Sequence, residues 1–411
     1  MLILVLLTGL VLMRESRQEP LASWDDRWAD FLGTTSRQEQ KEAPVTLVGI
    51  DDGALQEHPW PWNPLDFSLF LQAVLPHDPS VMAIDEVLDW NRLELAEAQM
   101  KKLPQYEKIL LDHLHRAPRM LLGAQLGFPE DPQVQPPWQE VPLLRQVTGD
   151  SSTLPEFPIV AQQPTEDYRL AATIGFTNLP LTTERYNSVP LIFRHHGQVI
   201  PAFPLQAMMM WARLTPDEIS VVLGSHIELG PKRRIPIDAR GRMRVDFATP
   251  RGALSFDDML FATEQKAAGT KPVVDLSKLK NRVVLLSRVD AKARNIPLAA
   301  RRNGSPGELF AAAIATMQNQ SYIRRAPAWG EIVVVALLAV LGYFVPGWTR
   351  FATLVAGFVF LVGYIMIAMA VFHQWLVWMP IVLPTGAVLC FILFRCVSAD
   401  SVPKPRKPVI L

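Results

Sequence analysis

The apolar residues of this 411-residue chain are concentrated at its two ends. Ile332–Thr349 contains no charged residue, Arg350 follows, and Phe351–Phe372 is again uncharged. His373 and Gln374 make a short polar break before a third uncharged run, Trp375–Phe394, which stops at Arg395. Each run has about the 20 residues that cross a hydrocarbon core of roughly 30 Å, without the polar faces that soluble helices carry. Three transmembrane helices over 330–395 are therefore expected. Met1–Met13 is also apolar and ends at Arg14. Thirteen residues cover only about 20 Å of helix. No basic residue precedes this run and no A-x-A site follows, so it reads as an uncleaved signal anchor, starting upstream or thinning the bilayer around it. A cleaved signal, or a buried strand or helix, are the alternatives.

Lys and Arg near the spans set orientation. The tail, 396–411, carries Lys404, Arg406 and Lys407 just after Arg395, the loop before Phe351 carries Arg350, and the loop around His373 carries none. The C-terminus is expected in the cytoplasm, with the large segment 20–325 outside the membrane.

That segment has a different rhythm. Val45–Ile50 is a short β-branched apolar run, as in a strand buried on both faces, and Asp51, Asp52 and Gly53 end it. Leu65, Leu69, Phe70 and Val74 follow at helical spacing. Val81–Ile84 is a second apolar run, ended by Asp85 and Glu86. This is a βαβ unit, which makes the strands parallel and puts both carboxyl ends on one rim, where open α/β sheets usually bind ligands. Arg282–Leu286 reads as a third such strand, followed by Ser287, Arg288 and Asp290 and by a helix near Glu308–Gln318. Leu121–Gly127, Thr173–Leu179, Val189–Phe193 and Met243–Phe247 are further strand candidates. Asp131–Glu166 is rich in Pro and Gln and reads as a long surface loop.

Composition narrows the function. Lys and Arg together number 40 and so do Asp and Glu, and this zero net charge argues against nucleic acid as a partner. Two cysteines exclude a disulfide framework or a Cys-rich metal module.

At this point the residues match a family. The outer segment resembles the CHASE type 2 domain (cyclases/histidine kinases associated sensory extracellular). Asp25-Asp-Arg27 with Asp30 is similar to the entry motif after the first span, Val45–Asp52 to the V-x-V-x-I-D-D strand, and Pro59-Trp-Pro-Trp62 to the W-P-W block. Met82-Ala-Ile-Asp85, Gly175-Phe-Thr-Asn178, Lys280–Ser287 and Pro306-Gly-Glu308 resemble the later motifs. Asn63, Ser287-Arg288 and the stretch Thr182–Ser188 depart from the pattern. The resemblance implies an extracytoplasmic α/β sensor domain, with a mainly parallel or mixed sheet, in a multi-pass protein of the bacterial inner membrane. The family typically carries a cyclase, kinase or phosphatase after its last span. Only about 16 residues follow Arg395 here, too few to fold as a domain, so a separate effector subunit or protein partner is expected.

The candidate ligand-binding residues are Asp51, Asp52, Trp60, Trp62, Asp85, Glu86 and Arg288. The four acids either bind a cation or cationic ligand or cap the segments that follow them. The two tryptophans either form a recognition surface or plug the core. His113 and His115, on one strand face or loop, and the adjacent His195 and His196 have no third metal ligand beside them. No nucleophile, cofactor or metal motif emerges, so neither an enzyme nor a cofactor is expected. The function expected is an integral membrane sensor that binds an unknown extracytoplasmic ligand and signals through a partner. The alternative is a membrane-anchored assembly factor that uses a degenerate sensor domain as a docking surface.

Overall fold

The computed structural model describes residues 21–34, 40–90, 97–129, 141–182, 184–299, 303–344 and 350–398. The Met1–Met13 segment, residues 131–140 of the Pro/Gln-rich stretch and the basic tail from 399 onward lie outside these residues. The chain forms two compact units, one of residues 39–322 and one of residues 1–38 with 323–411.

The 39–322 unit is built on a seven-stranded sheet: β1 (Ala43–Ile50), β2 (Val81–Ile84), β3 (Met120–Gly127), β4 (Ile159–Gln162), β5 (Thr173–Phe176), β6 (Arg251–Ser255) and β7 (Val283–Arg288). The order begins β6-β1-β7-β2-β3, all parallel, and β3 then pairs with β5 in parallel and with β4 antiparallel. The sheet is therefore mixed and mainly parallel. Helices α1 (Pro64–Val74), α2 (Glu97–Arg116), α3 (Phe203–Ala212), α4 (Phe256–Ala267) and α5 (Pro306–Asn319) supply its covers.

Alternation along the strands divides the core between two faces. Val45, Leu47, Val81, Ala83, Leu121, Val283 and Leu285 pack with Phe203 and Met208 of α3 and Leu309, Phe310 and Ile314 of α5. Val48, Ile50, Met82, Ile84, Leu122, Val284 and Leu286 pack with Phe67, Phe70 and Leu71 of α1, Leu110 and Leu114 of α2, and Phe256 and Met259 of α4. Burial on both faces is why β1, β2 and β7 read as continuous apolar runs.

Several expectations need correction. Ile159–Gln162 lies inside the stretch read as a loop, yet it adds an antiparallel strand to β3. Its four residues between Pro158 and Pro164 are too few to show a period. Val189–Phe193 divides into Ser188–Pro190, paired with Arg242–Arg244, and Ile192–His195, a hairpin partner of Gln198–Pro201. His113 and His115 lie in α2, not on a strand or loop. Two apart on a helix, they point to opposite sides. In the Gly175-Phe-Thr-Asn178 turn, Asn178 prolongs the sheet by side chain: its Oδ1 accepts from Leu126 N at 2.7 Å and its Nδ2 donates to Leu126 O at 2.9 Å. The two ends of the unit meet. Asn319 Nδ2 donates to Lys41 O at 2.6 Å and Gln318 Nε2 to Pro44 O at 3.2 Å.

The second unit packs a helix, Leu21–Thr34, with α6 (Ala328–Phe344), α7 (Arg350–Trp375) and α8 (Val382–Ser398). Among the described residues one helix, Phe351–Trp375, is long and apolar enough to cross a membrane, with mean hydropathy 2.6. Its 25 residues reach about 38 Å. Helices α6 and α8 have 17 residues each. The third uncharged run is not helical throughout. Val377–Trp378 instead pairs in parallel with Arg324–Arg325, and Pro380 and Pro384 hold the start of α8 back to Val382.

Buried Asp25 joins distant parts of this unit: its Oδ1 accepts from Ile381 N at 2.9 Å and Val382 N at 3.0 Å, capping α8. Arg325 pairs with Glu331 at 3.0 Å and approaches Asp25 at 3.7 Å.

Candidate functional site

The carboxyl end of the sheet gathers most of the sequence-derived candidates. β7 lies between β1 and β2, with Ile50 level with Arg288 and Ile84 level with Leu286. One residue further, Asp85 stands beside Ser287. The insertion of β7 also separates the two acidic strand ends by two interstrand spacings, about 10 Å. The rim therefore has two parts.

The inner part is built on Asp85. Its Oδ2 accepts from Ser287 Oγ at 2.7 Å, and its Oδ1 is shut from solvent with no hydrogen-bond donor among the described residues. Burial drives the Asp85 pKa well above the usual carboxylate range, the charge of neighbouring Glu86 adds to this, and the Ser287 hydrogen bond only partly offsets it. Burial also raises Glu86, against the pull of the Arg288 charge. The close packing depends on two glycines. A Cβ on Gly307, at the start of α5, would lie 2.0 Å from Ser287 Oγ and 3.2 Å from Asp85 Oδ2. A Cβ on Gly123 would lie 2.4 Å from Asp85 O. The α5 start is fixed by a capping box: Ser305 Oγ accepts from Glu308 N, and Ser305 N donates to Glu308 Oε2.

Arg288 closes this part. Its Nε and Nη2 donate to the two oxygens of Asp290, each at 2.9 Å, and its guanidinium lies 4.2 Å from the centre of the Trp60 ring. Asp290 is buried, which alone would raise its pKa. The hydrogen bonds and charge of Arg288 override this and hold its carboxyl below the usual range. Asp290 consumes two of the five guanidinium donors, and the Arg288 side chain keeps 18% of its surface exposed.

The outer part follows β1. Asp51 Oδ1 accepts from Ala54 N at 3.1 Å, and Asp52 faces Ala291 N at 3.4 Å. Asp257, at the start of α4, joins them. Burial raises its pKa, and Asp51 and Glu57 add to this. Sequence reasoning passed over Asp257, although Asp257-Asp258 in a first helical turn was a legible sign of a strand-to-helix junction.

The two tryptophans part company. Trp62 is in the core, 4.6 Å from Phe256 and 5.4 Å from Phe67 between ring centres, with its Nε1 donating to His58 O at 2.8 Å. Trp60 is half-buried at the rim beneath Arg288. Asn63, a departure from the family pattern, caps α1 by accepting from Leu65 N at 2.8 Å, with Asp66 completing the box. Among the described residues no three of His, Cys, Asp and Glu converge as metal ligands.

The arrangement suits binding by hydrogen bonding and charge: a guanidinium fixed by one carboxylate and one indole, with donors to spare, beside two carboxyls that burial disposes to hold protons. No curated protein and no solved structure matches the chain. The CHASE2 domain, in contrast, matches residues 2–344, taking in both acidic strand ends, the Trp-Pro-Trp loop, Arg288 and the capped start of α5. The chain belongs to the CHASE2 family, a family of extracellular sensor domains.

Proposed function

We propose that the protein is an integral membrane sensor whose 39–322 unit lies outside the membrane, binds a ligand at the inner rim and passes the change through its helices to a separate partner protein. The observation that carries this reading is the CHASE2 match over residues 2–344. The apolar Phe351–Trp375 helix supports the membrane part. The spare donors of Arg288 support the rim as the site. They favour a ligand with oxygen acceptors, because a guanidinium presents a fixed fork of N–H groups that carboxylates and hydroxyls satisfy.

Two measurements test it. Protease added to intact spheroplasts should digest residues 40–322 while sparing α7; protection of the whole chain would refute an outer location. A thermal-shift screen of the full chain in detergent, using small carboxylates and polyols, should find compounds that raise the melting temperature of the wild type and leave Arg288→Ala unmoved. Equal shifts in both proteins would remove the rim as the site.

A further inference from the structure

The Leu21–Thr34 helix has three faces, not two. At 100° per residue, Asp25, Ala29 and Leu32 fall together, and all three are buried against the helical unit. Asp26, Arg27 and Asp30 form a charged face on the far side. Between them runs an aromatic face: Trp24, Trp28 and Phe31, with Trp28 and Phe31 stacked at 5.6 Å. Trp28 Nε1 is spent on Met379 O at 3.0 Å, whereas Trp24 is 61% exposed and Phe31 54% exposed.

The place of this face in its unit is as informative as its composition. Arg324–Arg325 immediately precedes α6, Val377–Trp378 immediately follows α7, and the two pair with each other. The start of α6 and the end of α7 are therefore at one end of the bundle, and the Asp25 cap on α8 and the Trp28 bond bring the Leu21–Thr34 helix to the same end. Two further exposed indoles stand there, Trp329 at 68% and Trp375 at 62%, the latter closing the apolar Phe351–Trp375 stretch. Four large aromatic side chains thus stand exposed toward the end of the bundle at which that stretch closes. Indoles favour this setting because the ring body is apolar and the N–H wants a polar neighbour, a combination found where acyl chains meet headgroups.

We infer that the Leu21–Thr34 helix is an interfacial helix: it lies along the bilayer surface with Trp24 and Phe31 sunk to the headgroup–acyl boundary and Arg27 and Asp30 in water. Its occupant is lipid rather than protein. This rests on the reading of α7 as a membrane span. The helix has the make-up of such elements, with an apolar side, a strongly charged side and low net hydrophobicity.

The test uses the full chain in phosphatidylcholine/phosphatidylglycerol nanodiscs, with Cys390→Ser and Cys396→Ser as background. Single nitroxide labels are placed through Trp24→Cys, Arg27→Cys, Asp30→Cys, Phe31→Cys and, as a reference in the middle of α7, Phe358→Cys. Collisional relaxation by oxygen, which partitions into lipid, is compared with relaxation by a water-soluble nickel chelate. Labels at 24 and 31 should show an oxygen-to-nickel ratio several-fold above those at 27 and 30. If 358 favours oxygen but all four helix positions favour nickel, the interfacial helix is refuted while the span stands. If 358 itself favours nickel, the span fails and the inference falls with it. Labels at 24 and 31 that are immobilised and reached by neither reagent would mean a protein contact and would equally overturn it.

Discussion

Asp85 concentrates the electrostatic cost of the rim in one carboxyl. Its pKa in the folded protein is raised, by burial first and by Glu86 second, so folding favours its protonated form. The associated stabilisation is complete below the ordinary carboxylate value of about 3.9 and is lost as pH rises through the higher folded value. Asp85→Asn keeps an oxygen to accept from Ser287 and never ionises. Calorimetry at about pH 8 should find the variant melting above the wild type, by roughly 2 °C per kcal/mol relieved in a unit of this size. The gap should close near pH 4, where the wild-type carboxyl is itself neutral; a gap of equal size at both pH values would contradict the assignment. At this scale the sequence was half legible. Acidic residues after apolar runs gave away Asp85 and Glu86. The stacking of Arg288 on Trp60 joins residues 228 positions apart, and no local pattern encodes a contact of that kind. Trp60 and Trp62 share one motif and lie 6.3 Å apart between ring centres, yet they differ in fate: Trp62 packs on Phe256 in the core, and Trp60 stays at the rim under Arg288.

Elements reveal themselves in proportion to how completely they are buried. β1, β2 and β7 were visible because helices cover both their faces. β6, Arg251–Ser255, lies at the edge with one residue exposed and none fully buried, so it carries no apolar run to read. Helix α2 was hidden by its polar face and by Pro104 inside it. The start of α5 was visible through Pro306-Gly-Glu308, but neither its Ser305 cap nor the reason for its glycine was. That reason gives a prediction. Gly307→Ala drives a methyl group against Ser287, 2.2 Å from its Cβ, and the side chain of a central strand has nowhere to move. Overpacking of this kind costs typically 1–3 kcal/mol, about the range expected here in urea unfolding. Adding Ser287→Gly removes the obstructing atoms, so the double variant should recover stability relative to Gly307→Ala alone. Independent, additive losses would show that the clash is relieved elsewhere.

The whole chain is discontinuous in its architecture: the helical unit is made from residues before 39 and after 322, with the sensor unit inserted between. Asp25 is the stitch that closes this gap, through its two bonds to the start of α8. Asp25→Ala leaves the amides of Ile381 and Val382 without their acceptor, a loss of about 1–3 kcal/mol for each buried donor. Hydrogen exchange should quicken at residues 381 and 382, while the amides of β1 and β7 keep their protection. Unchanged exchange at 381 and 382 would mean that Asp25 is not their cap. The sensor unit, for its part, begins and ends at one place, where the Asn319 side chain is hydrogen-bonded to the backbone of Lys41. A body whose two leads emerge side by side behaves as a cassette. It can be lifted from its host chain and set into a surface loop of an unrelated protein without stretching either lead, which makes this fold portable between proteins that share nothing else.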